Sequence, residues 1–204
     1  MIQDGVKEKV QSAPLKRHIT PHRPRPRSRS RARARARRWN NWVPRKVGLL
    51  SWRVALNRLP VLTALARRNI VSPSVLCPIC GEAPEVVAHI FLECGLAQSV
   101  WEMVSQWCKI QPMYSFSFKG LLEVHVYTRG SALFMKALHG IVLIAIWCIW
   151  RARNDMVFKG VKISLHKLVG EIKAKSFLWI RSRAKLQSAS WYSWTSFDSG
   201  GIGL

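Results

Sequence analysis

Apolar residues recur at helical spacing along most of the chain from Trp42 onward. Residues 46–59 place apolar side chains three or four positions apart until Pro60 ends the run, and the pattern resumes over 62–68. Further segments with one apolar face cover 98–108, 116–126, 131–158 and 164–186, the last with Ser164 placed to cap its start. The chain has no alternating strand and helix pattern and no glycine-rich phosphate loop. The pattern therefore predicts a mainly α-helical protein.

The tryptophans of the helix over 98–108 and the apolar run over 141–150 are the most apolar features of these helices. Trp101 and Trp107 fall on the apolar side of the helix over 98–108, and we expect them in the core. The most apolar run covers only residues 141–150, whereas a membrane-spanning helix needs about 20 apolar residues. We therefore expect a buried central helix, with a membrane span as the weaker alternative.

The first 46 residues have a different texture. They hold 15 of the chain's 33 Lys and Arg, and residues 31–38 alternate Arg with Ala without an apolar anchor. This composition predicts a disordered segment. Two interpretations of this segment stay open: an arm for nuclear import or nucleic-acid binding, and a low-complexity leader without function. A transit peptide is a third, weaker interpretation.

The formal net charge of +23 predicts attraction to polyanions, of which nucleic acid is the commonest, ahead of an anionic membrane surface. We therefore expect an RNA or DNA partner with weak sequence specificity, and a nuclear location, with the cytoplasm as the alternative. The residues that we predict to contact phosphates are Arg31, Arg33, Arg35, Arg37 and Arg38 in the arm and Arg67 and Arg68 after it. Arg67 and Arg68 also fit an ordinary solvated helix face.

Three thiols and one imidazole lie within eighteen residues. They belong to Cys77, Cys80, His89 and Cys94, and this spacing can supply the four ligands of a tetrahedral zinc ion. Four protein ligands leave no open position, so we expect a structural and not a catalytic zinc. The odd cysteine count and the polar N-terminus without a recognisable signal peptide favour a reducing compartment over a disulfide framework.

The local sequence also predicts how these ligands are held. A tight turn carries the first two thiols, and Gly81 permits a left-handed residue just after it. A short helix begun at Pro84 would point His89 inward, and Cys94 would lie past its final turn, where Gly95 lets the chain leave.

The segment between the first and last ligand is acidic. It contains Glu82, Glu85 and Glu93 but no Lys or Arg, and a three-thiolate zinc centre adds about one further negative charge. We therefore expect this segment to repel phosphate and any nucleic-acid binding to come from the basic residues around it.

These residues resemble the zinc-binding domain that follows the reverse transcriptase in plant non-LTR (LINE-type) retrotransposons. The likeness is carried by residues 43–47, 52–53, 57–60, 65–70, the CPICG turn at 77–81, Glu85, His89, Cys94 and 100–101, and further on by 146–154 and 170–173. The resemblance spans about 39–198 and implies Cys77, Cys80, His89 and Cys94 as zinc ligands. Val61 and Val86 depart from the family pattern, but neither is a ligand.

A polymerase active site is not expected in this chain. Metal-dependent nucleotidyl transfer needs paired carboxylates, whereas the only aspartates are Asp4, Asp155 and Asp198, far apart in sequence. We predict no enzymatic activity and interpret the chain as part of a retroelement.

The predicted organisation is a disordered Arg-rich arm (1–41), a zinc-binding helical domain (42–110), a helical C-terminal region (111–187) and a flexible tail (188–204). The hypothesis for function is a non-enzymatic zinc protein that binds nucleic acid through basic flanks. The alternatives are a zinc-stabilised scaffold for protein interactions and a remnant without function.

Overall fold

The computed structural model describes residues 39–70, 74–113 and 117–204. These residues form eight α-helices: α1 (Arg45–Ala55), α2 (Leu62–Ala66), α3 (Gly95–Cys108), α4 (Phe118–Tyr127), α5 (Ala132–Lys159), α6 (Leu165–Ala184), α7 (Trp191–Thr195) and α8 (Ser199–Ile202). A π-helical turn, His89–Glu93, precedes α3. Within the described ranges the only β feature is an isolated antiparallel bridge between Leu76 and Pro84. The predicted mainly α-helical fold is confirmed.

Helix α5 is the centre around which the other helices pack. It is 28 residues long, and the residues from Ala137 to Ile146 are all buried. The Ser131 hydroxyl accepts a hydrogen bond from the Phe134 N–H at its start, and Gly160 ends it in the left-handed conformation that glycine adopts without strain. Helices α1, α4 and α6 all lie against it. Its apolar faces are therefore covered on several sides, as predicted for a buried central helix.

By length and composition alone, α5 meets the requirement for crossing a membrane. In the structure, however, 67% of its apolar window is buried inside the protein. Such burial is typical of the core helix of a folded domain, since a lone membrane helix would present those side chains to lipid.

Helices α3 and α6 pack against each other and against α5. Trp101 and Trp107 of α3 are buried, which confirms their predicted place in the core. The Trp101 indole N–H donates to the Phe91 carbonyl at 2.7 Å. The predicted cap of α6 is confirmed only in position. Ser164 is the N-cap residue, but its side chain makes no capping hydrogen bond.

The C-terminal segment, predicted as a flexible tail, includes two short helices and a buried tryptophan. Residues 188–204 contain α7 and α8, and a reciprocal pair of hydrogen bonds between Ser190 and Ser193 caps α7. Trp194 is fully buried, and its carbonyl accepts a 2.9 Å hydrogen bond from the Trp107 indole. Its ring lies next to the rings of Trp107, Phe177 and Phe197. Aromatic burial is large enough to order a segment that its serine and glycine content alone would leave mobile.

Replacing Trp194 with alanine tests this docking. We expect Trp194→Ala to lower the free energy of unfolding by about 3–5 kcal/mol, because it empties a fully buried aromatic site. Tyr192→Ala is the matched control in the same helix, since Tyr192 is 82% exposed, and it should stay within about 0.5 kcal/mol of the unmodified protein. Urea unfolding followed by circular dichroism measures both, and equal stability of the two variants would contradict a docked tail.

Candidate metal centre

A tight loop closed by backbone hydrogen bonds presents the first two thiols. The Cys77 N–H donates to the Ala83 carbonyl at 2.7 Å, and the Gly81 N–H donates to the Cys77 carbonyl at 2.8 Å. Gly81 has a φ of 74°, so the predicted left-handed residue is confirmed. The bridge between Leu76 and Pro84 joins the two ends of the loop. This hydrogen bonding fixes where both sulfur atoms point.

The second half of the site is built by a π-helical turn. The Cys94 N–H donates to the His89 carbonyl at 2.8 Å, five residues back. An ideal α-helix would place these two residues about 140° apart, and the wider turn reduces that separation. Cys94 lies past the final turn, as predicted, with an extended backbone.

Two local expectations are corrected here. The helix does not begin at Pro84, because the Pro84 region is extended and the Glu85 N–H donates to the Val75 carbonyl at 2.8 Å. Gly95 is not an exit from the helix either, since it is the first residue of α3 and Cys94 is its N-cap. The pairing with Val75 delays the helix until Val87.

The four predicted ligands meet at one point. The sulfur atoms of Cys77, Cys80 and Cys94 and a ring nitrogen of His89 all lie within 4.8 Å of one another. Cys80 Sγ is 3.2 Å from His89 Nε2. A tetrahedral zinc ion requires roughly 3.5–3.8 Å between such donors, given Zn–S and Zn–N bonds of about 2.3 and 2.0 Å. The donor set and its spacing therefore fit zinc after small adjustments.

The surroundings of the four ligands also suit a structural metal. Cys77, His89 and Cys94 are buried and Cys80 is half-buried. His89 Nδ1 lies 3.9 Å from a Glu93 carboxylate oxygen, which leaves Nε2 for the metal and places a carboxylate where it can orient the ring. Three thiolates and one imidazole would complete the coordination shell, so the site can hold a metal but offers no open position to a substrate.

The cysteines outside the metal cluster lie in a different environment from the ligands. A hydrogen bond between Cys77 and Cys94 raises the pKa of Cys77 and lowers that of Cys94, and zinc would bind both sulfurs as thiolates. Burial raises the pKa of Cys108, and it raises the pKa of Cys148 to about 12. Cys108 and Cys148 are therefore neutral core thiols, outside the metal cluster.

A buried ion pair connects this loop to the central helix. Arg153 of α5 donates from Nε to Glu85 Oε1 at 2.5 Å and from its terminal nitrogen to Glu85 Oε2 at 2.6 Å. Glu85 is 0% exposed and Arg153 is 2% exposed. Glu85 Oε2 also accepts from the Leu62 N–H at 2.6 Å, and the Thr63 hydroxyl donates to the Glu85 carbonyl at 2.7 Å. One carboxylate thus joins α2, the metal loop (residues 76–85) and α5.

Sequence reasoning missed this pair. Arg153 follows the apolar run 141–150 and is a charged residue, but it lies four residues after the buried Ile149 and so falls on the core-facing side of the helix. This helical position is the feature of the sequence that could have indicated a buried arginine. The pair also changes the electrostatics expected for the loop, because Arg153 balances the charge of Glu85, while Glu82 and Glu93 remain exposed.

The structure describes only part of the predicted phosphate-contacting set. Arg67 and Arg68 follow α2 and are exposed. Arg31, Arg33, Arg35, Arg37 and Arg38 lie outside the described residues, as does most of the predicted disordered arm.

Comparison with known proteins agrees with the geometry. Residues 24–101 match the family model described as zinc-binding in reverse transcriptase, and the match contains all four ligands. It confirms the resemblance for this zinc-binding region, which is distinct from the catalytic polymerase. No curated protein and no solved structure gave a match.

Substituting individual ligands tests the metal centre. We expect Cys80→Ser and His89→Ala each to lose most of the bound zinc, because three ligands cannot close the tetrahedron. Cys108→Ala should keep its zinc, since Cys108 is a buried cysteine outside the cluster. Metal analysis of the purified variants measures the zinc per chain, and undiminished zinc in both ligand variants would refute this ligand set.

A second substitution tests the buried ion pair. Arg153→Met should lower the free energy of unfolding of the zinc-loaded protein by about 3–5 kcal/mol, because it leaves the Glu85 carboxylate buried without its cation. Arg151→Met is the control two residues away, where an exposed pair with Glu171 is worth at most about 1 kcal/mol. Denaturant unfolding compares them, and equal losses would show that the buried pair has no special role.

Proposed function

Because residues 24–101 match the zinc-binding domain of reverse transcriptases, we propose that this chain is a non-enzymatic, retrotransposon-derived protein that binds RNA or DNA. In this proposal, zinc fixes the fold and basic residues around the metal loop contact the nucleic acid. The observation that carries it is the cluster of three cysteines and one histidine inside a strongly cationic chain.

The structural role of zinc is supported by the closed geometry of its site. The four donors converge where the metal loop meets α3. Structural zinc in such sites contributes about 10–16 kcal/mol at neutral pH, which is comparable to the whole stability of a domain. A metal of this kind organises the surrounding backbone and has no part in catalysis.

The binding of nucleic acid is supported by the distribution of charge. No Asp or Glu occurs between Glu8 and Glu82. The described residues before the metal loop therefore carry only positive charges, and all of them are exposed: Arg45, Lys46, Arg53, Arg58, Arg67 and Arg68. Exposed cations without an acidic residue between them in the sequence attract phosphates and release their counterions. These six residues and the Arg-rich residues that precede them together form the proposed binding region.

The retroelement origin and the nuclear location belong to the same proposal. The likeness to plant LINE-type elements beyond the matched segment supports the origin, and the scarcity of aspartates that a polymerase would need for its metal ions supports the non-enzymatic role. The Arg-rich segment supports entry into the nucleus, where a retroelement protein would meet DNA.

A protein-interaction scaffold is the second candidate, and the exposed aromatic residues favour it. Tyr127, Phe158 and Tyr192 are each more than three-quarters exposed. Exposed aromatic side chains are enriched at protein interfaces. Partners that stay bound in a pull-down after nuclease treatment would support the scaffold over the nucleic-acid-binding protein.

Salt dependence tests the proposed function directly. The full chain should bind single-stranded RNA or DNA, and its affinity should fall steeply as salt rises, because each neutralised phosphate releases counterions. Removing residues 1–38 deletes 13 Lys and Arg and leaves every described residue in place. The truncated protein should bind more weakly, with a shallower dependence on salt. Fluorescence anisotropy of a labelled oligonucleotide measures both quantities.

Two outcomes of this titration would contradict parts of the proposal. An unchanged affinity and salt slope in the truncated protein would exclude the Arg-rich arm as a contact. A full chain that binds no oligonucleotide even at low salt would overturn the proposed function.

A further inference from the structure

A cleft of about 550 Å³ lies between the segment that enters α1 and the helices α4 and α5. Its lining includes Trp39, Asn41, His125, Lys136 and His139, and no acidic side chain. Its size falls within the range of small-molecule sites in proteins. The cleft thus combines an aromatic ring, polar groups that can hydrogen-bond, and one cation.

The wall of the cleft carries a partly exposed tryptophan. Trp39 is 46% exposed, and its ring lies against Gly48 of α1, where an added Cβ would come within 3.2 Å of a ring carbon. The absence of a side chain at Gly48 therefore lets the indole rest on the helix. The ring is supported from one direction and remains accessible from another, as a stacking platform must be.

The floor of the cleft is formed by two histidine rings. The rings of His125 and His139 stack with their centroids 4.4 Å apart. Burial of His139, with the nearby His125 adding to it, lowers its pKa to about 3, so this imidazole is neutral at physiological pH. A neutral imidazole offers one hydrogen-bond donor and one acceptor, which is the kind of complement that the edge of a nucleobase requires.

The positive charge at this cleft belongs to Lys136. Its ammonium group lies 4.5 Å from the centre of the Trp42 ring, and its carbonyl accepts a 2.7 Å hydrogen bond from the Asn40 amide. These contacts hold the lysine backbone and side chain beside the cleft. In the sequence, Arg37 and Arg38 immediately precede Trp39.

We propose that this cleft binds one unpaired base of a single-stranded nucleic acid, with Trp39 stacking on the base and Lys136 neutralising a phosphate next to it. The inference rests on the proposed function and names the ligand class and residues of one contact. An apolar ligand would not use the cation or the polar floor, and a simple anion would not use the indole. A nucleotide within a strand uses all three, and base stacking on aromatic rings tolerates any sequence.

The experiment separates base recognition from attraction between charges. The zinc-loaded full chain is titrated with a labelled single-stranded oligodeoxynucleotide and with an abasic strand of the same length, which keeps the phosphates but lacks the bases. The base-containing strand should bind about tenfold more tightly. Trp39→Ala should remove this difference while leaving the affinity for the abasic strand unchanged, and circular dichroism of the variant checks that it is folded.

Trp191→Ala is the matched control, because Trp191 is 48% exposed and its ring lies beside Phe177, away from the residues that line the cleft. It should keep the full preference for the base-containing strand. The same titration with an RNA strand distinguishes the two sources of the base, and a duplex should show no loss in Trp39→Ala, since its bases are paired.

The possible failures are distinguishable. If the unmodified chain binds both strands equally, or if Trp39→Ala retains the preference for bases, the cleft is not a base site, although the proposed function stands. Equal loss in Trp39→Ala and Trp191→Ala would also overturn the assignment to this cleft. A chain that binds neither strand fails the proposed function and the inference together.

Discussion

The fold depends on one buried carboxylate, that of Glu85. Burying an ionised group is unfavourable unless a cation and hydrogen-bond donors surround it. Here Arg153 supplies the cation and two donors, and the first turn of α2 supplies a backbone N–H. Because the carboxylate and these partners belong to three separate segments, the three must assemble together to satisfy the charge. The arrangement therefore specifies how the metal loop sits on α5 as well as stabilising it.

The metal cluster and the ion pair each order a different part of the metal loop. The four ligands fix the cysteine-bearing turn of the loop relative to α3. Glu85, at the end of the loop, fixes it relative to α2 and α5. No sheet supports this loop, since the described residues contain only one isolated β bridge. Short connections with few apolar residues gain little from burial. A metal and an ion pair replace the apolar contacts that such a loop cannot make.

The sequence was informative where the signal is local and less so where it depends on distant partners. Ligand spacing identified Cys77, Cys80, His89 and Cys94, and apolar periodicity located the main helices to within a few residues. Arg153 and Glu85 are 68 residues apart, so no local pattern connects them. The docking of Trp194 likewise depends on rings supplied by α3 and α6. The cleft at Trp39 is formed by the segment before α1 together with α4 and α5, so no single stretch of sequence indicates it.

The π-helical turn has a consequence for the geometry of the metal site. Such turns are rare, and an ordinary α-helical turn is the more stable alternative for a free backbone. If His89–Glu93 relaxed to that alternative, each residue would advance by about 100° and the last thiol would rotate away from the imidazole. Backbone register and coordination therefore change together. The π-helical register is therefore part of the metal site, because an α-helical backbone at His89–Glu93 would separate two of its four donors.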